Sequence, residues 1–412
     1  MEIKIYNTSV NACLGTTVSI GMAGNKHYII ASGRGELFAA LEGETDENSK
    51  YCLLSHENAK VLRKYFPYCA PQTTDFHRGI IALGDRLGLA TPYHAQIVTG
   101  FELTPFFALH SPKETALTGR TFRNAVDDAT FGAFCAKFTR PWGAEGVNLY
   151  TIEDVEAAVE AGCGILTLEC GGEFEDIDFA VEVYERFCQD SENHILFSVS
   201  MTGNRTITDP AVHDETARKL TERGVKLFSF TPCLFESFQV FGANEENANM
   251  FEKRLFEHVQ IAAANNYRIG IESIGYKYSI LPSISRAAGG HFLARMHGAS
   301  WLCGACAIAK NDPKFFRELV RTAAEITKNK EDLELNIYSV PDEELAATLD
   351  IPEIREVLHF AFGTLLRRRD EKGVVMFRDR IYESLAMYEN DYGNGLISTI
   401  GRHVASLDTA TG

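Results

Sequence analysis

The feature that most narrows the fold is a recurring phrase: the end of a helix, a glycine, then a short apolar strand. "EAGCGILTLE" and "ERGVKLFSF" both read this way. Strands that are apolar throughout need cover on both faces, and a helix between successive strands makes them run parallel. Such runs fall at 79–83, 105–109, 146–149, 164–169, 194–200, 226–230, 268–272 and 292–296. Helical patterns fill the intervals. One spans Ile152–Ala161 behind Thr151, with Asp154 three residues after that cap. Another covers 210–223 and opens on Asp209-Pro210, a cap followed by proline in the first turn. Eight such units predict an α/β fold of the (β/α)8 TIM-barrel type. No Gly-x-Gly-x-x-Gly follows the first strand, so neither a dinucleotide site nor NAD is expected. A ninth strand-like run, Leu333–Tyr338, has to lie outside the barrel.

The flanks read differently. "TTVSIGMAGNKHYIIASG" alternates on either side of a Gly24-Asn25 turn, as a small antiparallel sheet does, and 55–65 is a short amphipathic helix. This divides the chain into a β-rich cap (1–75), the barrel (76–340) and a helical extension (341–412). A net charge of −16 argues against nucleic acid or an anionic membrane as partner, while leaving room for a local basic pocket. The start, MEIKIYNTSV, does not read as a signal peptide, and no apolar stretch has transmembrane length. The ten cysteines are scattered, several of them inside apolar runs (Cys135, Cys163, Cys188), as reduced thiols of a cytoplasmic protein are. Cys303 and Cys306 form a lone CxxC, which reads as helix packing ahead of zinc or redox chemistry.

In a barrel the chemistry sits where strands end and βα loops begin. Those positions hold Asp85 and Arg86, His110 and Lys113, Asn148, Glu169 and Glu173, and then Ser200, Asn204 and Arg205. Thr231 and Cys233, Glu272 with Lys277, and Arg295 with His297 complete the rim. A guanidinium grips a carboxylate with two bonds, and a lysine adds a point charge. Taken singly, each of these is better explained by a rim salt bridge. Together on one face, in a chain this acidic, they point to a small anionic ligand. Glu169 and Glu272 close strands that are otherwise apolar (GILTLE, RIGIE), so each needs a cation, a metal or a proton. Either is a candidate general base or hard-metal ligand, with an ion pair to a neighbouring loop as the plain alternative.

Several blocks resemble the tagaturonate/fructuronate epimerase family of metal-dependent sugar-acid epimerases. They are "GDRLGLATP", "TGRTFRNAVDDATFGAF", "PWGAEGVNLYTIEDV", "YKYSILPSISRAAGGHF", "HGASWL", "DPKFFRELV", "VLHFAFGTLL" and the closing "GRHV", in order from Gly79 onward. The resemblance implies an anion-holding group of Asp85, Arg86, Arg120 and Lys277, with Arg295 where the family tends to have lysine. It also implies acid–base and imidazole ligand positions that this chain has changed. Val147-Asn148 stands for an Asp-His pair, and Ser200-Met201 for an Asp-Glu pair. Glu272 stands for one histidine, and the position near Asn336 for another.

Two functions follow. The first is a divergent epimerase or isomerase of a small hexuronate-like sugar acid, with Glu169 and Glu272 catalytic and Lys277 or a metal as electrophile. The second is a non-catalytic barrel that binds a sugar acid or a protein partner. Zinc is not expected. Asn148, Glu169 and Glu272 form a conditional oxygen-only set for Mg²⁺ or Mn²⁺. Arg86, at the end of the first strand, is expected to hold the anion.

Overall fold

A computed structural model describes residues 3–73, 78–189, 194–203, 205–235, 245–327 and 336–408. Near the N-terminus, β1 (Lys4–Ile5), β2 (Asn11–Cys13), β3 (Thr16–Ala23), β4 (Lys26–Gly33), β5 (Glu44–Asp46) and β6 (Ser49–Leu53) form an antiparallel sheet of order β1-β3-β4-β6-β5, with β2 paired to β3. The β3–β4 hairpin turns at Gly24 and Asn25, where Gly24 takes φ 61, a value that suits a residue without Cβ. Helices α1 (Glu36–Ala40) and α2 (His56–Tyr65) cover one face, and Ser55 caps α2 by accepting from Asn58 N–H. The core of this sheet is completed by Phe131, Phe134 and Cys135 of the barrel helix α5, defined below.

Eight strands then close into a parallel barrel: β7 (Ile80–Leu83), β8 (Thr104–His110), β9 (Gly143–Leu149), β10 (Ile165–Glu169), β11 (Leu196–Ser200), β12 (Leu227–Thr231), β13 (Arg268–Ile271) and β14 (Phe292–Met296), with β14 pairing back to β7. All eight lie where the apolar runs predict them. The intervals carry α3 (Thr91–Val98), α4 (Pro112–Thr118), α5 (Phe122–Ala136), α6 (Ile152–Ala161), α7 (Phe174–Phe187), α8 (Pro210–Glu222), α9 (Glu245–Ala264), α10 (Leu281–Ala288) and, after the last strand, α11 (Ala299–Asn311) and α12 (Pro313–Thr327). The expected caps are in place. Thr151 accepts from Asp154 N–H, and Asp209 from Ala211 N–H. Of the ninth run, 333–335 lie outside the described residues, and 336–338 form a turn rather than a strand.

From residue 342 onward the chain is helical: a 3-10 segment (Asp342–Asp350), then α13 (Pro352–Arg367), α14 (Arg378–Met387) and α15 (Glu389–Asp408). Helix α13 packs on α12 and α4, and α15 on α11, α3 and α10, so the extension reaches the rim of the barrel. Cys303 and Cys306 lie one turn apart in α11, both as free thiols. No described helix is long and apolar enough to cross a membrane.

Candidate functional site

The barrel interior is layered. An apolar layer of Ile80, Phe106, Val147, Ile165 and Leu293 lies inside the strands. Beside it runs a polar layer in which every group is matched. Arg295 of β14 meets Glu145 of β9 through Nε, 3.0 Å from both carboxylate oxygens, and through Nη2, 2.7 Å from Oε1. Both side chains are fully buried. Thr167 donates to Glu145 Oε1 at 2.6 Å, and Arg295 Nη1 donates to Thr231 Oγ1 at 2.8 Å. Arg295 is therefore an interior partner of Glu145, not the rim anion holder that the resemblance implied. Its guanidinium stands behind the rim, with Nη1 3.5 Å from Glu272 Oε2.

Toward the strand ends the matching stops. Glu272 follows β13 and places Oε1 2.7 Å from His297 Nε2, which follows β14. Burial pushes the Glu272 carboxyl up, but His297 and Arg295 outweigh it and hold it below the usual glutamate value. Burial likewise pulls His297 down, and Glu272 and Glu114 outweigh it, so the imidazole keeps its proton above the ordinary range. Lys277 is buried and donates to Ser273 O at 2.6 Å; burial pushes its ammonium down to about 7, against the pull of Glu272. The loop carrying it holds Ser273 and Tyr276 at positive φ (56 and 61), strain that Tyr276 N–H to His403 Nε2, at 2.7 Å, helps to fix. From the helical extension comes His359, whose backbone oxygen accepts from Arg86 Nη1 at 3.1 Å. Burial, then Arg86 and His297, hold its imidazole neutral.

Glu169 closes β10. One oxygen accepts from Gly203 N–H; the other, Oε2, is buried with no hydrogen-bond partner. Burial pushes its carboxyl up to about 7, against the Gly203 N–H and the Ser200 hydroxyl. Glu169 also lines a cleft of about 620 Å³ shared with Tyr150, Met201, Asp176, Asp209 and Thr208. Asn148 lies at an irregularity in the β9–β10 pairing with φ 53, and its Oδ1 is buried without a partner. Above the Glu169 loop, the exposed guanidinium of Arg205 stacks 5.4 Å from the Phe360 ring of α13. Asn204 lies outside the described residues.

The Gly-Asp-Arg-Leu-Gly loop after β7 is built differently from its expected role. Asp85 Oδ1 accepts from Gly88 and Leu89 N–H, and Oδ2 from Ala90 N–H, Thr91 N–H and the Thr91 hydroxyl. Its carboxylate is saturated as the cap of α3, which corrects its reading as a ligand for the substrate. Arg120 donates to Asp85 O at 2.7 Å and pairs with Asp128, so it too is consumed by the loop. Gly88 has φ 75, and a Cβ there would lie 2.4 Å from Asp128 Oδ2, so glycine is required. Arg86 donates to Glu114 Oε1 at 3.1 Å as well as to His359 O, in a polar nook of only about 10 Å³. An anion at Arg86 has to share it with Glu114.

Sequence reasoning passed over Glu145, Glu114 and His359. Glu114 hides because Ser111 accepts from its N–H, which makes it read as a helix-capping residue. His359 lies in α13, beyond the last strand, and only the block "VLHFAFGTLL" marks it. Of the changed ligand positions, Val147 is core and Asn336 sits in an exposed turn. Among the described residues no three His, Cys, Asp or Glu side chains are grouped to hold a metal. The unpartnered oxygens of Asn148 and Glu169 suit a hard divalent ion better than zinc. Arg295 beside Glu272 opposes any cation there.

A family model for tagaturonate epimerase matches residues 6–176 and 173–407. A tagaturonate/fructuronate epimerase of Thermotoga maritima is 25% identical over 422 positions, covering 87% of this chain and 86% of the relative. The crystal structure of the native fructuronate-tagaturonate epimerase of Cohnella laeviribosi superimposes with a TM-score of 0.92 at 28% identity, covering 98% of this chain and 96% of that one. A glycerol complex of the same protein gives 0.90 at the same identity and coverage.

Proposed function

Because this chain belongs to the tagaturonate epimerase family, we propose that it inverts a stereocentre of a small hexuronate-like keto acid, with Glu169 as its proton-handling carboxylate and Glu272 in support. The observation that carries this reading is Glu169: a strand-end carboxyl with one unpartnered oxygen, poised at about 7, on the wall of a roomy cleft. A general acid–base works best with a pKa near the working pH, where it can both accept and return a proton. Inversion beside a ketone removes a proton from carbon, and inversion further away opens a carbon–carbon bond after a hydroxyl loses its proton. Both routes pass through an enolate, which needs a donor at its oxygen.

In this assignment Glu169 takes the hydroxyl proton as the carbon–carbon bond opens to an aldehyde and an enolate, and returns it to the alkoxide once the aldehyde has turned its other face and the bond has re-formed. Glu272 stays ionised and holds the His297 imidazolium in place, and Lys277 donates to the enolate oxygen. Among the described residues the Glu169 cleft is lined by Asp176 and Asp209 and by no cation, so it suits the sugar hydroxyls. The substrate carboxylate is assigned to Arg205, whose guanidinium is exposed and braced on Phe360. Both oxygens of Glu272 are engaged by cationic partners, His297 and Arg295, so of the oxygen set only Asn148 and Glu169 are left for a hard divalent ion, and no step here is routed through one.

The replacement of the family's ligand positions by Val147, Met201 and Asn336 favours a second reading, binding without turnover. Proton NMR of the purified protein with fructuronate separates the two. Appearance of tagaturonate supports the epimerase. Saturable binding of fructuronate without conversion, with or without added Mn²⁺, would replace it with the non-catalytic reading.

A further inference from the structure

A second cavity, of about 420 Å³, lies between the N-terminal sheet and the barrel, on the far side of the Gly-Asp-Arg-Leu-Gly loop from Arg86. Its walls come from the sheet (Ile20, Met22), from α3 (Tyr93), from α5 (Phe131) and from the extension (Leu385, Tyr392). Interiors are close-packed, and voids beyond the size of a water are few. This one has the volume and the mostly apolar lining of a small-molecule site. We propose that it binds an uncharged ring compound carrying a hydrogen-bonding polar group, a site distinct from the barrel mouth.

Charge selects against ions. Among the described residues, no lysine or arginine lines the cavity. Its two carboxylates are each balanced from outside the lining, Glu389 by Lys4 at 2.6 Å and Asp128 by Arg120. An anion finds no counter-charge there, and a cation finds both carboxylates already paired. Among the described residues of the wall, the buried polar side-chain atom left over is the Tyr392 hydroxyl. Tyr392 is 2% exposed, stands on the cavity wall, and its hydroxyl has no hydrogen-bond partner. A buried donor without an acceptor is costly, and an acceptor on an occupant removes that cost. The occupant would also touch Gly88 and Asp128, the tight contact on which the loop carrying Arg86 rests.

Benzamide and benzoate test this, because they share a shape and differ in charge. Binding to the full chain is followed by saturation-transfer NMR, and only binding removed by Ala386→Trp, which fills the cavity from α14, is scored. Melting of that variant is checked by circular dichroism. If it does not fold, Tyr392→Phe alone decides. Benzamide is expected to bind, with benzoate at least about tenfold weaker. Tyr392→Phe is expected to weaken benzamide about fivefold while raising the melting temperature of the free protein. Absence of benzamide binding, benzoate binding of equal strength, or full benzamide affinity in Tyr392→Phe would each overturn the proposal.

Discussion

The barrel interior and the barrel mouth contain the same kinds of group and use them in opposite ways. Inside, Arg295, Glu145, Thr167 and Thr231 form a closed set in which each donor meets an acceptor. At the strand ends, Asn148 and Glu169 each keep one buried oxygen without a partner, and Glu169 and Lys277 are both driven to about 7. A matched buried network holds its protons fixed and specifies one structure. An unmatched one stores free energy that a substrate can release. On the proposed function, the difference leaves the inner arginine to folding and the outer glutamate free for chemistry, although both sit on strands of one barrel.

Breaking the interior has the largest expected effect. Arg295→Met leaves Glu145 charged and unpaired in the core, and urea unfolding is expected to show a loss of about 3–5 kcal/mol. Adding Glu145→Leu removes the orphan and is expected to recover most of that loss. If the double variant is no more stable than the single one, the pair is not the closed unit described above.

Stability against pH sharpens the same contrast. Glu169 carries a folded pKa raised to about 7, above the roughly 4.3 of an unfolded glutamate. Between those values the folded state holds the proton more tightly, so this group's contribution to stability falls as pH rises through the window. Glu169→Gln is expected to match the wild type near pH 4 and to be more stable than it at pH 8. Equal stability at both ends would mean that the carboxyl is not strained.

Two smaller effects concern the loop after β7. Arg86→Ala strips the partner from buried Glu114 and is expected to cost about 1.5–3 kcal/mol of stability. A rise in KM without loss of stability would return Arg86 to the anion-holding role. Asp85→Ala removes the cap of α3 and is expected to cost about 1–2 kcal/mol with KM unchanged.

The fold was legible because its signals are local. Runs such as GILTLE and KLFSF mark strands within a few residues, and Thr151 and Asp209 mark helix starts. Glu169 and Glu272 were legible as candidates for the same reason: a carboxylate ending an apolar strand is visible in one line of sequence. What could not be read depends on closure of the barrel. Glu145 meets Arg295 across strands three places apart in the ring, and His359 arrives from a helix beyond the last strand. Asp85 and Arg120 were misread because residue type reveals charge but not how many N–H groups or carbonyls the folded loop supplies to consume it.

The most direct test of the division between scaffold and chemistry is the turnover of fructuronate by Glu169→Gln. This account predicts a folded protein whose epimerisation rate falls by about 10²–10⁴, the range for loss of a general acid–base. A Glu169→Gln variant that turns over at the wild-type rate would contradict it.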